Sequence, residues 1–322
     1  MAKVIIGIHG LGNKPSKDIL QRWWKESMIE GLRNSGRDLA LPKFELIYWA
    51  DLLYKNPLDE TIVDKKHPLF LDEKYIPEGK ISKIENHDLR KKILDWYDEA
   101  ADKYLLNDDM TLNYSYIQNT IIHNYFEDLE KYYNNEKISL NGFSYFARKQ
   151  IRNEVAKVLL KYKNDDIFLI AHSMGSIIAF DILTYNLPGI KINTLTTIGS
   201  PLGSPFVRSK IAQEGKNYLN NPFKLKTPNG IQKWFNFSDL EDLVAINYSL
   251  KNDFAENKSG VKAIDFIVNN NYEINNEKNH HKSFGYLRTP EFSNILSEFI
   301  LQKERKIIQQ IRNFFGSIIK KH

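Results

Sequence analysis

Apolar residues along this chain fall into two alternating textures. Short blocks of consecutive, often β-branched residues have the length and composition of buried strands. They are Val4 to Ile8, Phe44 to Trp49, Ile167 to Ala171, Leu195 to Ile198, Trp234 to Phe237 and Ile264 to Val268. Between them the apolar positions recur at helical spacing. Ile19, Leu20, Trp23, Trp24 and Ile29 share one face of a helix expected from Ser16 to about Leu32. Further helices are expected from about Ser144 to Tyr162, from Ser176 to Leu183 and from Glu291 to Leu301. This alternation predicts an α/β protein with a doubly wound, mostly parallel sheet, running through residues 1–322 as a single domain.

One stretch breaks the rhythm. Residues 51–141 are charged, rich in Tyr and Asn, and lack the compact apolar runs of central strands. Trp96, Tyr97, Ala100, Tyr104 and Leu105 form one periodic face, and Ile117, Ile121, Ile122, Tyr125, Phe126 and Leu129 another. The segment reads as a helical insertion, either a cap over a site or helices flanking the sheet. Aromatic side chains such as Tyr97, Tyr104, Tyr114, Tyr116 and Phe126 would line an apolar pocket if it is a cap. At the other end, Lys303 to Lys321 places six basic residues beside seven Ile and Phe residues. That composition suits either a terminal helix packed on the sheet or peripheral contact with an anionic membrane.

Composition narrows the chemistry. The 322 residues contain no cysteine, which excludes disulfides, thiolate metal sites and cysteine nucleophiles. The net charge of +5 is spread along the chain, and no nucleic acid is expected as a partner. No run approaches the roughly 18 to 20 apolar residues of a spanning helix, and Val4 to Ile8 is too short for a signal segment; a cytoplasmic protein is the expectation. No metal site is evident, since the adjacent His280-His281 cannot act as a helical ligand pair and no carboxylate stands at ligand spacing. No cofactor is expected either.

The sharpest signal is Ile167-Phe168-Leu169-Ile170-Ala171-His172-Ser173-Met174-Gly175-Ser176. An apolar strand enters a tight turn with serine at its tip, and an apolar helix leaves it. This is the strand–serine–helix arrangement of a nucleophile elbow, in which small residues two before and two after the serine let strand and helix pass closely. Here Ala171 stands where the pattern has glycine. The alternative role for Ser173 is a helix N-cap. His172 is expected to point away from the site and to be structural.

The chain resembles the lipase- and esterase-like branch of the α/β-hydrolase family over about residues 1–50 and 143–300. Besides the elbow, His9-Gly10-Leu11-Gly12 after the first strand is similar to the family's HGxG oxyanion loop. Thr197-Ile198-Gly199-Ser200-Pro201 is similar to its GSP segment, and Trp234 to Ala245 to its acid-bearing strand and loop. The resemblance implies an α/β-hydrolase fold and an activated serine, with the chain order Ser, then acid, then His. It implies an oxyanion hole made by the N–H groups of Met174 and Leu11. A phosphate-cradling turn at His9 to Gly12 is the rival reading, but the segment lacks the rest of a P-loop.

Within that frame Ser173 is the expected nucleophile. His281 is favoured as base over His280, because His281 opens a segment like the family's histidine loop. Asp242, followed by Leu243-Val244, resembles the D-x-V of lipase-type sites and is favoured over Asp239. The expected substrate is a small-molecule or lipid ester. Thioester or acyl-transfer chemistry on the same three residues, and a non-catalytic binding role, are the alternatives.

Overall fold

A computed structural model describes residues 1–77, 129, 132–219, 225–245 and 247–302. Its centre is a six-stranded sheet of β1 (Lys3–Ile8), β2 (Lys43–Ile47), β5 (Asp166–His172), β6 (Thr194–Ile198), β7 (Trp234–Ser238) and β8 (Ala263–Ile267). The order across the sheet is β2-β1-β5-β6-β7-β8, and every neighbouring pair is parallel. This is an α/β arrangement.

Parallel strands need crossover connections, which lay helices on both faces. The consequence is written into the alternation along the strands. Val4, Ile6 and Ile8 face one apolar core together with Ile167, Leu169 and Ala171. Ile5, Phe168 and Ile170 face the other. The first core is covered by α2 (Ala147–Lys161), α3 (Met174–Asp181) and α4 (Pro205–Leu219). The second is covered by α1 (Lys17–Asn34), α5 (Ser283–Leu287) and α6, which spans 290–302. In α1 the buried positions are Leu20, Trp23, Trp24, Ser27, Met28, Gly31 and Leu32, a stripe at helical spacing. All eight residues of α3 are buried; the apolar ones enter the core on several sides, and the polar Ser176 and Asp181 have hydrogen-bond partners inside.

An ion cluster unseen in the sequence ties one helical layer together. Asp181 at the end of α3 accepts from Arg148 at 2.9 Å and from Arg152 at 2.6 Å, both on α2. Both arginines also meet Glu214 of α4, and Tyr132 donates to Asp181 at 2.8 Å. The carboxyl of Asp181 is fully buried, so removing either arginine would leave two carboxylates sharing one guanidinium.

The expected helix from Ser144 begins later. Lys137–Leu140 (β3) and Phe143–Phe146 (β4) form an antiparallel hairpin, and the helix starts at Ala147. The cause is Asn141-Gly142, whose φ values of 52° and 81° make the two-residue turn that asparagine and glycine favour. Asn275 and Asn276, at φ 53° and 64°, make an equivalent turn between Glu273–Ile274 and Glu277–Lys278.

The described parts of 51–141 are mainly loop, with the strand β3 at the end. The two periodic faces lie outside the described residues except for Leu129, which is buried. The five aromatic residues considered for a pocket and the basic segment Lys303 to Lys321 also lie outside them. Among the described residues no helix is long and apolar enough to cross a membrane.

Candidate active site

The chain leaves β1 for β2 on one side and leaves β5 for β6 on the other, so β1 and β5 flank the point where the winding reverses. A crevice opens there beyond the strands' C-terminal ends. The residues that follow β1, β5, β6, β7 and β8 supply the site.

Ser173 follows β5 with φ 53° and ψ −128°, a region an L-residue enters only under strain. Its backbone is pinned on both sides. Its N–H donates to the Ile198 carbonyl at 3.1 Å, and its carbonyl accepts from Ser176 N at 2.9 Å and from Ser176 Oγ at 2.6 Å. Ser176 in turn meets Ser200 Oγ at 2.8 Å. Gly175 lets this turn sit on β1, since a Cβ there would lie 2.5 Å from the Ile8 carbonyl oxygen. Met174 opens α3, and N–H groups in a helix's first turn have no acceptor within the helix.

His9 and Gly10 pass directly over the serine: a Cβ on Gly10 would lie 3.2 Å from Ser173 Oγ. His9 is buried and stacked on Trp49, with ring centroids 4.8 Å apart. Burial, with the charge of Lys14 nearby, pushes its pKa down to about 3, so the ring is neutral. Nε2 accepts the Trp49 N–H at 3.0 Å. The proton therefore sits on Nδ1, which donates to the Gly10 carbonyl at 2.8 Å. Because the peptide is planar and trans, the Leu11 N–H points opposite to that carbonyl.

The acid and base come from the segments after β7 and before α5. His281 Nδ1 lies 2.8 Å from Asp242 Oδ2 and 3.0 Å from Oδ1. Asp242 is 1% exposed and its other acceptor positions are filled. Tyr286 OH donates to Oδ2 at 2.7 Å, and the N–H groups of Val244 and Ala245 donate to Oδ1 at 2.9 and 3.3 Å. Burial and the adjacent Asp242 hold the Tyr286 phenol far above its usual pKa, which keeps it a donor. Gly199, at φ 53°, makes room for the pair, since a Cβ there would lie 2.9 Å from Asp242 Oδ2 and 3.1 Å from His281 Nδ1.

The two residues left as alternatives pair with each other instead. His280 Nδ1 lies 3.2 Å from Asp239 Oδ2, and its Nε2 lies 3.1 Å from Glu241. Asp239 also accepts from Asn270 N at 2.6 Å and Glu241 N at 2.7 Å. Folding thus brings two carboxylates to His280, with candidate ligand atoms within 4.8 Å of one another, where sequence spacing placed none. Each ring nitrogen of His280 faces a different carboxylate, and the cluster is joined by hydrogen bonds.

His172 corrects the expectation that it points away. Its ring lies 4.8 Å from that of His281, and its Nε2 donates to the His281 carbonyl at 2.8 Å. Burial, and the neighbouring His281, hold its pKa well below the ordinary value, so it too is neutral. Ser173, His281, His172, His9 and Leu11 all line one cavity of about 460 Å³. Its lining is mixed, apolar at Leu20, Trp23, Leu71 and Phe284 and charged at Lys14, Asp72, Glu73 and Lys282. Tyr54, Leu58 and Leu71 to Glu73 bring the start of the insertion to the site. Glu73 pairs with Lys282 and accepts from Asn279. Burial would raise its pKa, but the Lys282 charge holds it below the ordinary range.

The structure therefore gathers Ser173, His281, Asp242, Leu11 and Met174 at one crevice and sets Asp239 and His280 apart from Ser173's cavity. The contacts of His172 with His281 and of Tyr286 with Asp242 had no signal in the sequence, because they depend on which loops meet. Comparison with models of protein families, with curated proteins and with solved structures gives no match to this chain.

Proposed function

We propose that this protein is a serine hydrolase of the α/β-hydrolase kind that cleaves carboxylic esters through an acyl-enzyme. One observation carries the reading. A strained serine with both backbone groups pinned opens into the same cavity as an imidazole whose Nδ1 is held by a buried carboxylate.

Asp242 fixes the proton of His281 on Nδ1 and leaves Nε2 as the basic nitrogen. Nε2 takes the proton of Ser173 Oγ as the oxygen attacks the ester carbonyl. The N–H groups of Leu11 and Met174 receive the developing oxyanion. His281 then protonates the leaving alcohol, and water enters by the same route to release the acid. A cavity of about 460 Å³ suits an ester of modest size, and its mixed lining offers both apolar and charged groups to the substrate.

The test is labelling with a fluorophosphonate probe, the modified peptide being mapped by mass spectrometry. Wild type should label at Ser173, Ser173→Ala should not label, and His281→Ala should label far more slowly. A folded wild type that neither labels nor hydrolyses a panel of simple esters would sink the proposal.

A further inference from the structure

The loop over Ser173 is held by two side chains, and only one of them belongs to the HGxG segment. His9 grips the carbonyl of Gly10. The next carbonyl, that of Leu11, accepts a hydrogen bond from the ammonium of Lys14. Lys14 is itself well anchored. Its carbonyl accepts from Leu58 N at 2.9 Å and its N–H donates to Asn13 Oδ1 at 2.8 Å, while Asn13 Nδ2 donates to the Asn56 carbonyl at 2.9 Å. The side chain therefore folds back from a fixed root onto the loop it follows. Its ammonium also lies 3.5 Å from the Asn13 carbonyl, and Lys14 lines the cavity that contains Ser173.

We propose that Lys14 is a positioning residue for the reaction: by holding the Leu11 carbonyl it fixes the Leu11–Gly12 peptide, and through it the residue whose N–H forms one half of the oxyanion site. The inference rests on the hydrolase reading above. Each peptide is planar, so a carbonyl held on one side sets the N–H of the same peptide on the other. His9 sets the Gly10–Leu11 peptide and Lys14 the Leu11–Gly12 peptide. Without Lys14, the second peptide can rotate about the left-handed Gly12, at φ 79°, and carry Leu11 with it. The ammonium adds a second effect. Its positive charge lines the same cavity as Ser173 and helps to lower the pKa of His9 and, to a lesser degree, of His172, and the same field favours negative charge developing on a substrate oxygen.

The experiment compares wild type, Lys14→Met and Lys14→Arg on p-nitrophenyl acetate, a neutral ester that offers no anion to bind. Phenylboronate affinity is measured in parallel, because its serine adduct mimics the tetrahedral intermediate. Removing one oxyanion donor outright costs roughly 100- to 1,000-fold in kcat. Loosening one should lower kcat by about 10- to 100-fold, with KM little changed, phenylboronate affinity falling in step and Lys14→Arg recovering most of the loss. Should Lys14→Met melt far below wild type, Lys14→Gln supplies a neutral side chain that still donates. A folded Lys14→Met enzyme with wild-type kcat and boronate affinity overturns the inference, as does a loss confined to KM. A wild type without esterase activity or probe labelling fails the hydrolase reading itself, which separates the two outcomes.

Discussion

His172 donates from Nε2 to the carbonyl oxygen of His281 at 2.8 Å, so the residue before the candidate nucleophile holds the backbone of the candidate base. The bond joins the turn after β5 to the loop before α5, and the distance between serine and imidazole depends on those two segments staying together. Replacing His172 by Phe keeps a ring against His281 but removes the donor. We expect kcat to fall about tenfold, in keeping with the sensitivity of catalysis to small misplacements, with KM nearly constant. An unchanged kcat in a folded His172→Phe protein would mean that the bond does not position His281.

Gly199 gives a harsher test of the acid–base pair. A methyl group there lands 2.9 Å from Asp242 Oδ2 in a backbone conformation that disfavours side chains. Gly199→Ala should push Asp242 and His281 apart and reduce kcat by at least about 100-fold, since an unoriented base loses most of its contribution. Its Tm should fall by several degrees, as a strain of about 1–3 kcal/mol implies. Wild-type turnover in Gly199→Ala would contradict the placement of the pair.

Ser173 predicts an unusual order of stabilities. Glycine in place of alanine ordinarily costs about 0.5–1 kcal/mol through chain entropy. At φ 53° and ψ −128° the strain that alanine retains is about 1–3 kcal/mol. Ser173→Gly should therefore be the more stable of the two inactive variants by about 1 kcal/mol. Urea unfolding of both measures it, and a more stable Ser173→Ala would show the turn to be unstrained.

Two neutral histidines set a pH dependence. His9 is held at about 3, mainly by burial, and His172 well below its ordinary value by burial and by His281. Below 6.5 the unfolded chain takes up protons that the folded chain refuses, so stability falls with pH, by about 1.4 kcal/mol per pH unit for each histidine. Above 6.5 neither contributes a slope. Urea unfolding between pH 7.5 and 5 should show this decline, and His172→Gln should flatten it by about one proton. An identical slope in wild type and variant would remove His172 from the account.

The sheet was legible because each of its strands is a short apolar block bounded by polar residues, and buried parallel strands read in that way. The elbow was legible because its chemistry is local: Ser173, Gly175 and the apolar run before them are consecutive. The Asp242–His281 pairing became unique only through folding, since Asp239 and His280 are equally close in sequence and differ in what surrounds them. Val244 and Ala245 turn their N–H groups on Asp242, whereas Asn270 and Glu241 turn theirs on Asp239. The β3–β4 hairpin is ambiguous in the sequence although Asn141-Gly142 marks its turn, because Ser144 to Phe146 also fits the start of a helix. The Arg148–Arg152–Asp181–Glu214 cluster had no local signature, since its four charges come from three helices.

All six strands of the sheet run the same way, which divides the molecule's edges by purpose. The candidate site lies at the rim where Ile8, His172, Ile198 and Ser238 end their strands. The opposite rim, where Lys3, Asp166, Thr194 and Trp234 begin theirs, carries none of the residues assigned to the reaction. Sequence drift along that far rim would be judged by folding alone. Under the hydrolase proposal the other rim would answer to both folding and turnover, and it could acquire a new specificity by exchanging loops without redrawing the sheet beneath them.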